Sequence, residues 1–180
     1  MIQMSRVWAM PTSDTFDCPP IGEFVRKYLR ESKVSVDPFA RNKRWATYTN
    51  DLNPATTAEH HLDAGEFLAK LAERSVKADL VLVDPPYSPR QVKECYDAIG
   101  KAMRTEDGWT AAMHKRWREA ILLICAPGAT VLTFGWGSNG MGKGLGFDIT
   151  EIMLVCHGAD HNDTICMAER LIAEQGKLAL

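Results

Sequence analysis

The chain has 180 residues, 46% of them hydrophobic and 24% charged, enough for one globular domain with a real core. A formal net charge of −2 excludes nucleic-acid binding through a global basic excess. The longest apolar stretch, residues 120–136, is cut by Pro127-Gly128, the N-terminus lacks a signal-peptide pattern, and five cysteines form no CxxC pair, so a reduced, cytoplasmic protein without a membrane span is expected.

Residues 1–20 read as irregular and proline-bearing. Pro19-Pro20 then opens a helix over 21–31, with Ile21, Phe24, Val25, Tyr28 and Leu29 on one face. Residues 34–36 form a short strand that runs into Asp37-Pro38-Phe39. A second strand over 45–49 ends at Asn50-Asp51. A helix is expected over 54–61, a third strand end at 61–63, closing on Asp63, and a helix over 65–74. Leu80-Val81-Leu82-Val83 is a fourth, buried strand. Helices follow over 91–99 and 110–125, Pro127-Gly128 breaks the second, and a fifth strand covers 130–134. A loop over 135–146 carries six glycines, and strands over 150–156 and 164–168 close the list.

Alternating strands and helices call for a mostly parallel sheet with helices on both faces. The short link between the last two strands makes them an antiparallel hairpin. Only about seven residues separate the first two strands, fewer than the ~10–12 that a crossover with its own helix needs. The first crossover helix is therefore shortened or absent.

The most informative residues are Asp84-Pro85-Pro86-Tyr87, directly after the fourth strand. Two prolines fix φ and donate no backbone hydrogen bond, so the exit is stiff and extended. Ligands in open α/β sheets bind outside the carboxyl ends of strands. An acid and an aromatic held there can grip a flat, amine-bearing group, although a plain proline turn gives the same pattern. Local basic clusters stand at Arg26/Lys27/Arg30, Arg41/Lys43/Arg44 and Lys115/Arg116/Arg118. The first and third read as solvated faces, while the second sits beside the proposed site.

Asp-Pro-Pro-Tyr resembles the catalytic tetrapeptide of amino-methyltransferases, above all the adenine-N6 DNA methyltransferases of small phage or prophage type. The resemblance covers nearly the whole chain. It implies a Rossmann-like class I methyltransferase fold, S-adenosyl-L-methionine as cofactor, and DNA as partner, with RNA or another amine substrate as the alternative. It implies that Asp84 and the Pro85 carbonyl accept hydrogen bonds from the target amine, that Pro86 stiffens the turn, and that Tyr87 stacks on an extruded base. Asp37, Pro38 and Phe39 resemble the start of the cofactor motif. Asp51 is placed for ribose hydroxyls, Asp63 lies near the cofactor adenine, and Thr15 and Phe16 resemble the N-terminal motif at the methionine end. Each acid also reads as a cap or turn residue.

The family's glycine-rich turn after Asp-Pro-Phe is missing, and Ala40-Arg41-Asn42-Lys43-Arg44 stands in its place. That departure leaves a non-catalytic, methyltransferase-like accessory subunit as a third reading. Substrate contacts are expected from Ser88, Arg90, Arg41, Trp136 and Asn139, and from loops near 100–110 and 135–146. One domain over 1–180 leaves no separate target-recognition domain, so specificity would need these loops, a homodimer or a partner subunit. The glycine loop lacks the order of a phosphate loop. The Cys156, His157, Asp160 and His161 cluster fits no common zinc spacing, so no metal is expected.

Overall fold

The computed structural model describes residues 1–102 and 111–172. Seven strands form one sheet: β1 (Gln3–Trp8), β2 (Ser35–Asp37), β3 (Tyr48–Thr49), β4 (Ala78–Val83), β5 (Cys125–Gly135), β6 (Phe147–Cys156) and β7 (Thr164–Leu171). Their order across the sheet is β1-β6-β7-β5-β4-β2-β3. Every neighbouring pair is parallel except those made by β7, which runs antiparallel to both β5 and β6. The expected mostly parallel sheet with a C-terminal hairpin is the one found.

Four α-helices among the described residues flank the sheet: α1 (Pro19–Leu29), α2 (Ala64–Glu73), α3 (Pro89–Ala98) and α4 (Ala111–Ile124). The strand alternation decides which face each side chain joins. Leu80 and Leu82 of β4 point to one face, where α1 buries Ile21, Phe24 and Val25 with Leu132, Phe134 and Val155. Val81 points to the other, where Phe67, Leu68 and Leu71 of α2 meet Ile121 and Ile124 of α4. Each fully buried side chain of this kind contributes about 2 kcal/mol. Helix starts follow local chemistry: Pro19-Pro20 opens α1, Asp63 caps α2 and Ser88 caps α3.

Four expectations fail in detail. Residues 3–8 are not irregular but form β1, which pairs with β6 at the sheet's edge. Residues 54–61 are not helical: Asn53 Oδ1 accepts from Ala55 N at 2.9 Å, and the turn it makes leads to a bridge between Asn50 and His60. That single bridge is all that stands where the third strand end was expected. Pro127-Gly128 does not separate helix from strand but lies inside β5, with Gly128 at φ +77°. Thr110, the expected start of the fourth helix, lies outside the described residues.

The first crossover has no helix. The chain leaves Asp37, makes two turns and returns directly to β3. Backbone bonds Ala40 N–Asn50 O (2.8 Å) and Asn50 N–Asp37 O (2.9 Å) stitch the loop to the neighbouring strand end. Arg41 occupies a left-handed conformation, φ +49°, at the position where a glycine turn was expected.

Candidate active site

The carboxyl ends of β2, β3 and β4 open into a cleft of about 1080 Å³. Asp84, Pro85, Pro86 and Tyr87 line it from the β4 exit, as the strand-end argument requires. Pro85 is buried, and Asp84 and Tyr87 are half-buried. Tyr87 Oη donates to Asp84 Oδ1, and Thr15 Oγ1 stands 3.3 Å from the same hydroxyl. Tyr87 N donates to Gln91 Oε1 at 2.5 Å, which ties the tetrapeptide to α3. The Tyr87 ring meets Trp136 edge-on, centroids 5.7 Å apart.

The electrostatics follow from this packing. Burial pushes the Asp84 carboxyl up to about 6, although hydrogen bonds from Tyr87 and Thr15 pull it down. Burial first, and then the neighbouring Asp84 charge, hold the Tyr87 phenol far above its ordinary value. Asp84 is therefore an acceptor at neutral pH, and Tyr87 keeps its proton.

The four acids expected at strand ends take different positions, and only Asp37, Asp51 and Asp84 follow strands. Asp37 is 1% exposed and lies beneath the cleft, where Phe39 N donates to its Oδ1 at 3.0 Å. Burial, with Asp84, Asp51 and Asp14 nearby, raises its carboxyl well above the usual range. Pro38 and Phe39, not Asp37, reach the cleft surface. Asp51 lines the wall and accepts from Asn53 N (2.8 Å) and Arg41 N (3.1 Å), with further lone pairs left over. Asp63 also lines the cleft while capping α2 through Gly65 N at 2.8 Å. The cap and the site reading describe the same residue.

The remaining expected residues divide. Thr15 lines the cleft, but Phe16 is buried in the core, stacked on Trp45 and edge-on to Phe134. Arg41 lines it too, and its Nη1 donates to Ser13 O at 2.6 Å, strapping the β2–β3 loop to the segment before Thr15. Ser88 caps α3 through Gln91 N. Arg90 pairs with Glu94 on the exposed side of α3, and Asn139 is exposed, both outside the cleft lining. Trp136 lines the cleft and is 44% exposed.

Two residues carry more than their sequence pattern suggested. Trp117 has ordinary core spacing on α4, yet it meets Phe39 edge-on at 5.1 Å and lines the cleft. Asn50 is fully buried; its Nδ2 donates to Pro38 O (3.1 Å) and Leu62 O (3.0 Å), and its Oδ1 accepts from Leu62 N (2.9 Å). One side chain thus fixes the cleft ends of β2, of β3 and of the lead into α2. The only sequence signal for it was an asparagine beside Asp51. Near the β6–β7 turn, His161 and Asn162 also face the cleft, while buried His157 is satisfied by Ala9 O and Thr164 Oγ1. No group of three metal-binding side chains is found among the described residues. None of the five cysteines is in a disulfide.

No protein-family model matches the sequence, and no curated protein matches it. Solved structures do resemble the fold. SMU.776, assigned as a methyltransferase and crystallised with S-adenosylhomocysteine, matches at TM-score 0.55 and 12% identity, over 82% of this chain and 48% of its own. The assigned methyltransferase yhhF of Escherichia coli matches at 0.54 and 11%, over 91% and 92%. A SAM-dependent methyltransferase from Agrobacterium tumefaciens matches at 0.53 and 13%, over 84% and 61%. This chain thus spans about half of SMU.776 and nearly all of yhhF. The fold is a Rossmann-like, class I methyltransferase fold.

Proposed function

We propose that this protein is an S-adenosylmethionine-dependent methyltransferase acting on the N6 amine of adenine in DNA. The observation that carries the reading is Asp84-Pro85-Pro86-Tyr87 at the end of β4, in one cleft with Asp51 and Asp63. The cofactor fits the residues present. Asp51 has free lone pairs for ribose hydroxyls, Phe39 and Trp117 offer apolar walls, and the volume exceeds what one small ligand needs. Solved neighbours of this fold include a protein crystallised with S-adenosylhomocysteine.

When bound, S-adenosylmethionine supplies a methyl group on a sulfonium for in-line displacement. The chain's own part is positioning. An exocyclic amine is a poor nucleophile while its lone pair is delocalised into the ring. Asp84 Oδ2 and the Pro85 carbonyl can accept its two N–H groups and draw the lone pair out of conjugation. Tyr87 now occupies Asp84 Oδ1 with its hydroxyl, so its ring stands at the mouth of the same acceptor. A base entering there meets the rings of Tyr87 and Trp136.

A second reading is an accessory subunit that keeps the fold without catalysis. It is favoured by the missing crossover helix and by Asp37 lying below the cleft surface. Titration calorimetry with S-adenosylmethionine separates the two. Binding is expected, and no heat at millimolar cofactor would overturn the enzyme reading. Radiolabelled methyl transfer to duplex DNA, single-stranded DNA and RNA then tests the substrate. Asp84→Ala should abolish transfer while retaining cofactor binding, and a fully active variant would refute the mechanism.

A further inference from the structure

Residues 1–11 contain ten uncharged side chains and one cation, Arg6. Within them β1 forms an end strand, bonded to β6 on one side and to no described strand on the other. Ile2, Met4, Trp8 and Met10 are 47%, 74%, 66% and 67% exposed. Alternation puts Met4, Arg6 and Trp8 on one face, level with Ile152, Leu154 and Cys156 of β6. Arg6 Nε is turned across that pair to Cys156 Sγ, 3.0 Å away. The Trp8 ring lies on Gly158, where a Cβ would come within 2.2 Å of it. The indole is therefore held in place rather than free.

Edge strands are ordinarily blunted by lysines, prolines, bulges or a covering element. β1 has no lysine, proline or bulge, and its register with β6 is unbroken from Gln3 to Trp8. An open row of backbone donors and acceptors beside an apolar stripe is the arrangement that pairs with another strand.

We propose that β1 pairs antiparallel with β1 of a second copy, about a twofold axis through Ser5. The choice of partner and register comes from the side chains. A twofold axis normal to the sheet keeps each residue on its own face, so only same-parity residues meet. Centring on Arg6 sets two cations opposite one another, which is unfavourable. Centring on Met4 leaves Trp8 without a partner. Centring on Ser5 sets Ile2 against Trp8 and Met4 against the aliphatic stem of Arg6, with no like charges opposed. Ile2, Met4 and Trp8 of each copy fall inside the paired stretch, and half-buried Ile152 and Leu154 of β6 flank them on the same face. The pairing continues two sheets into one and points the two clefts toward opposite edges, so neither copy blocks the other's site.

Light scattering on the eluting chain, at tens of micromolar, should give twice the 20.1 kDa chain mass. Met4→Lys should give the single-chain mass with an unchanged circular-dichroism spectrum. Cys95 is the one exposed cysteine, so a Ser5→Cys chain in a Cys95→Ser background should cross-link under mild oxidation, because the two Ser5 positions face each other. A monomeric wild type, a dimeric Met4→Lys chain, or a Ser5→Cys chain that does not cross-link would each overturn the proposal. If Met4→Lys fails to fold, the cross-link decides alone. None of these readouts depends on methyl transfer.

Discussion

Replacing Tyr87 by Phe removes one hydroxyl from the cleft and should raise the Asp84 pKa. In the native chain burial sets Asp84 at about 6, against a push downward from the Tyr87 hydrogen bond. A hydrogen bond to a charged group contributes about 1.5–3 kcal/mol, and one pKa unit corresponds to about 1.36 kcal/mol. Losing it therefore shifts Asp84 upward by roughly one to two units. Thr15, which already bonds the carboxylate, stays in place in Tyr87→Phe and holds the change near the lower figure. The sign carries into stability. A folded pKa above the unfolded value of about 3.9 means the native state holds its proton more tightly. Stability from this group is complete below about pH 4 and is lost as pH rises through the folded pKa. Tyr87→Phe widens that window, so its cost should be larger at pH 8 than at pH 4.5. Carbon-13 NMR of labelled aspartate carboxyls, with Asp84→Asn for assignment, reads the shift directly. An Asp84 pKa unchanged or lowered in Tyr87→Phe would refute the arrangement described.

Three other perturbations test separate features. Asn50→Ala should cost about 3 kcal/mol in urea denaturation, since the buried Pro38 carbonyl and the half-buried Leu62 carbonyl lose their donor and Leu62 N its acceptor, while Asn42→Ala on the exposed loop should cost about 0.5 kcal/mol or less. Arg41→Gly should change stability by under about 1 kcal/mol, because release from the left-handed conformation offsets the lost bond to Ser13 O; Arg41→Val should cost about 2 kcal/mol by thermal unfolding. Asp37→Asn keeps the acceptor for Phe39 N but removes a carboxyl whose pKa burial raises. It should leave stability unchanged at pH 4 and increase it at pH 7.5, flattening the pH profile of the urea midpoint.

The strand ends were legible because apolar runs closing on acids and prolines report a property of the local chain. Leu80 to Val83 followed by Asp84-Pro85-Pro86-Tyr87 admits few other conformations, α1 starts at a proline pair, and α2 and α3 start at the side-chain caps Asp63 and Ser88. β1 was not legible in the same way. Its six residues are mostly exposed, so its alternation answers to no core, and it is a strand because β6 offers it an edge. Residues 54–61 failed for the converse reason. Helix propensity there is overridden by the Asn53 turn and by the demand that His60 reach Asn50.

The acids at Asp37, Asp51, Asp63 and Asp84 show where spacing stops being informative. Asp37, Asp51 and Asp84 follow strands, while Asp63 caps α2 after a single bridge, and spacing does not tell these places apart. Depth below the cleft surface separates them. Asp37 is under the floor because Ala40 N returns to Asn50 O and closes the loop over it. Asp51 stays on the wall because its oxygens serve Arg41 N and Asn53 N in that same loop. The missing helix and the altered roles of the acids are thus one event. Without a crossover helix the loop folds back onto β3, Arg41 takes the left-handed position, and Trp117 of α4 reaches Phe39 at the cleft wall. Inserting a glycine turn and a helical segment after Phe39 should therefore displace Trp117 from Phe39. Tryptophan fluorescence of Trp117, read against a Trp117→Phe chain, should shift on insertion. An unchanged spectrum would mean that the aromatic pair and the short crossover are independent.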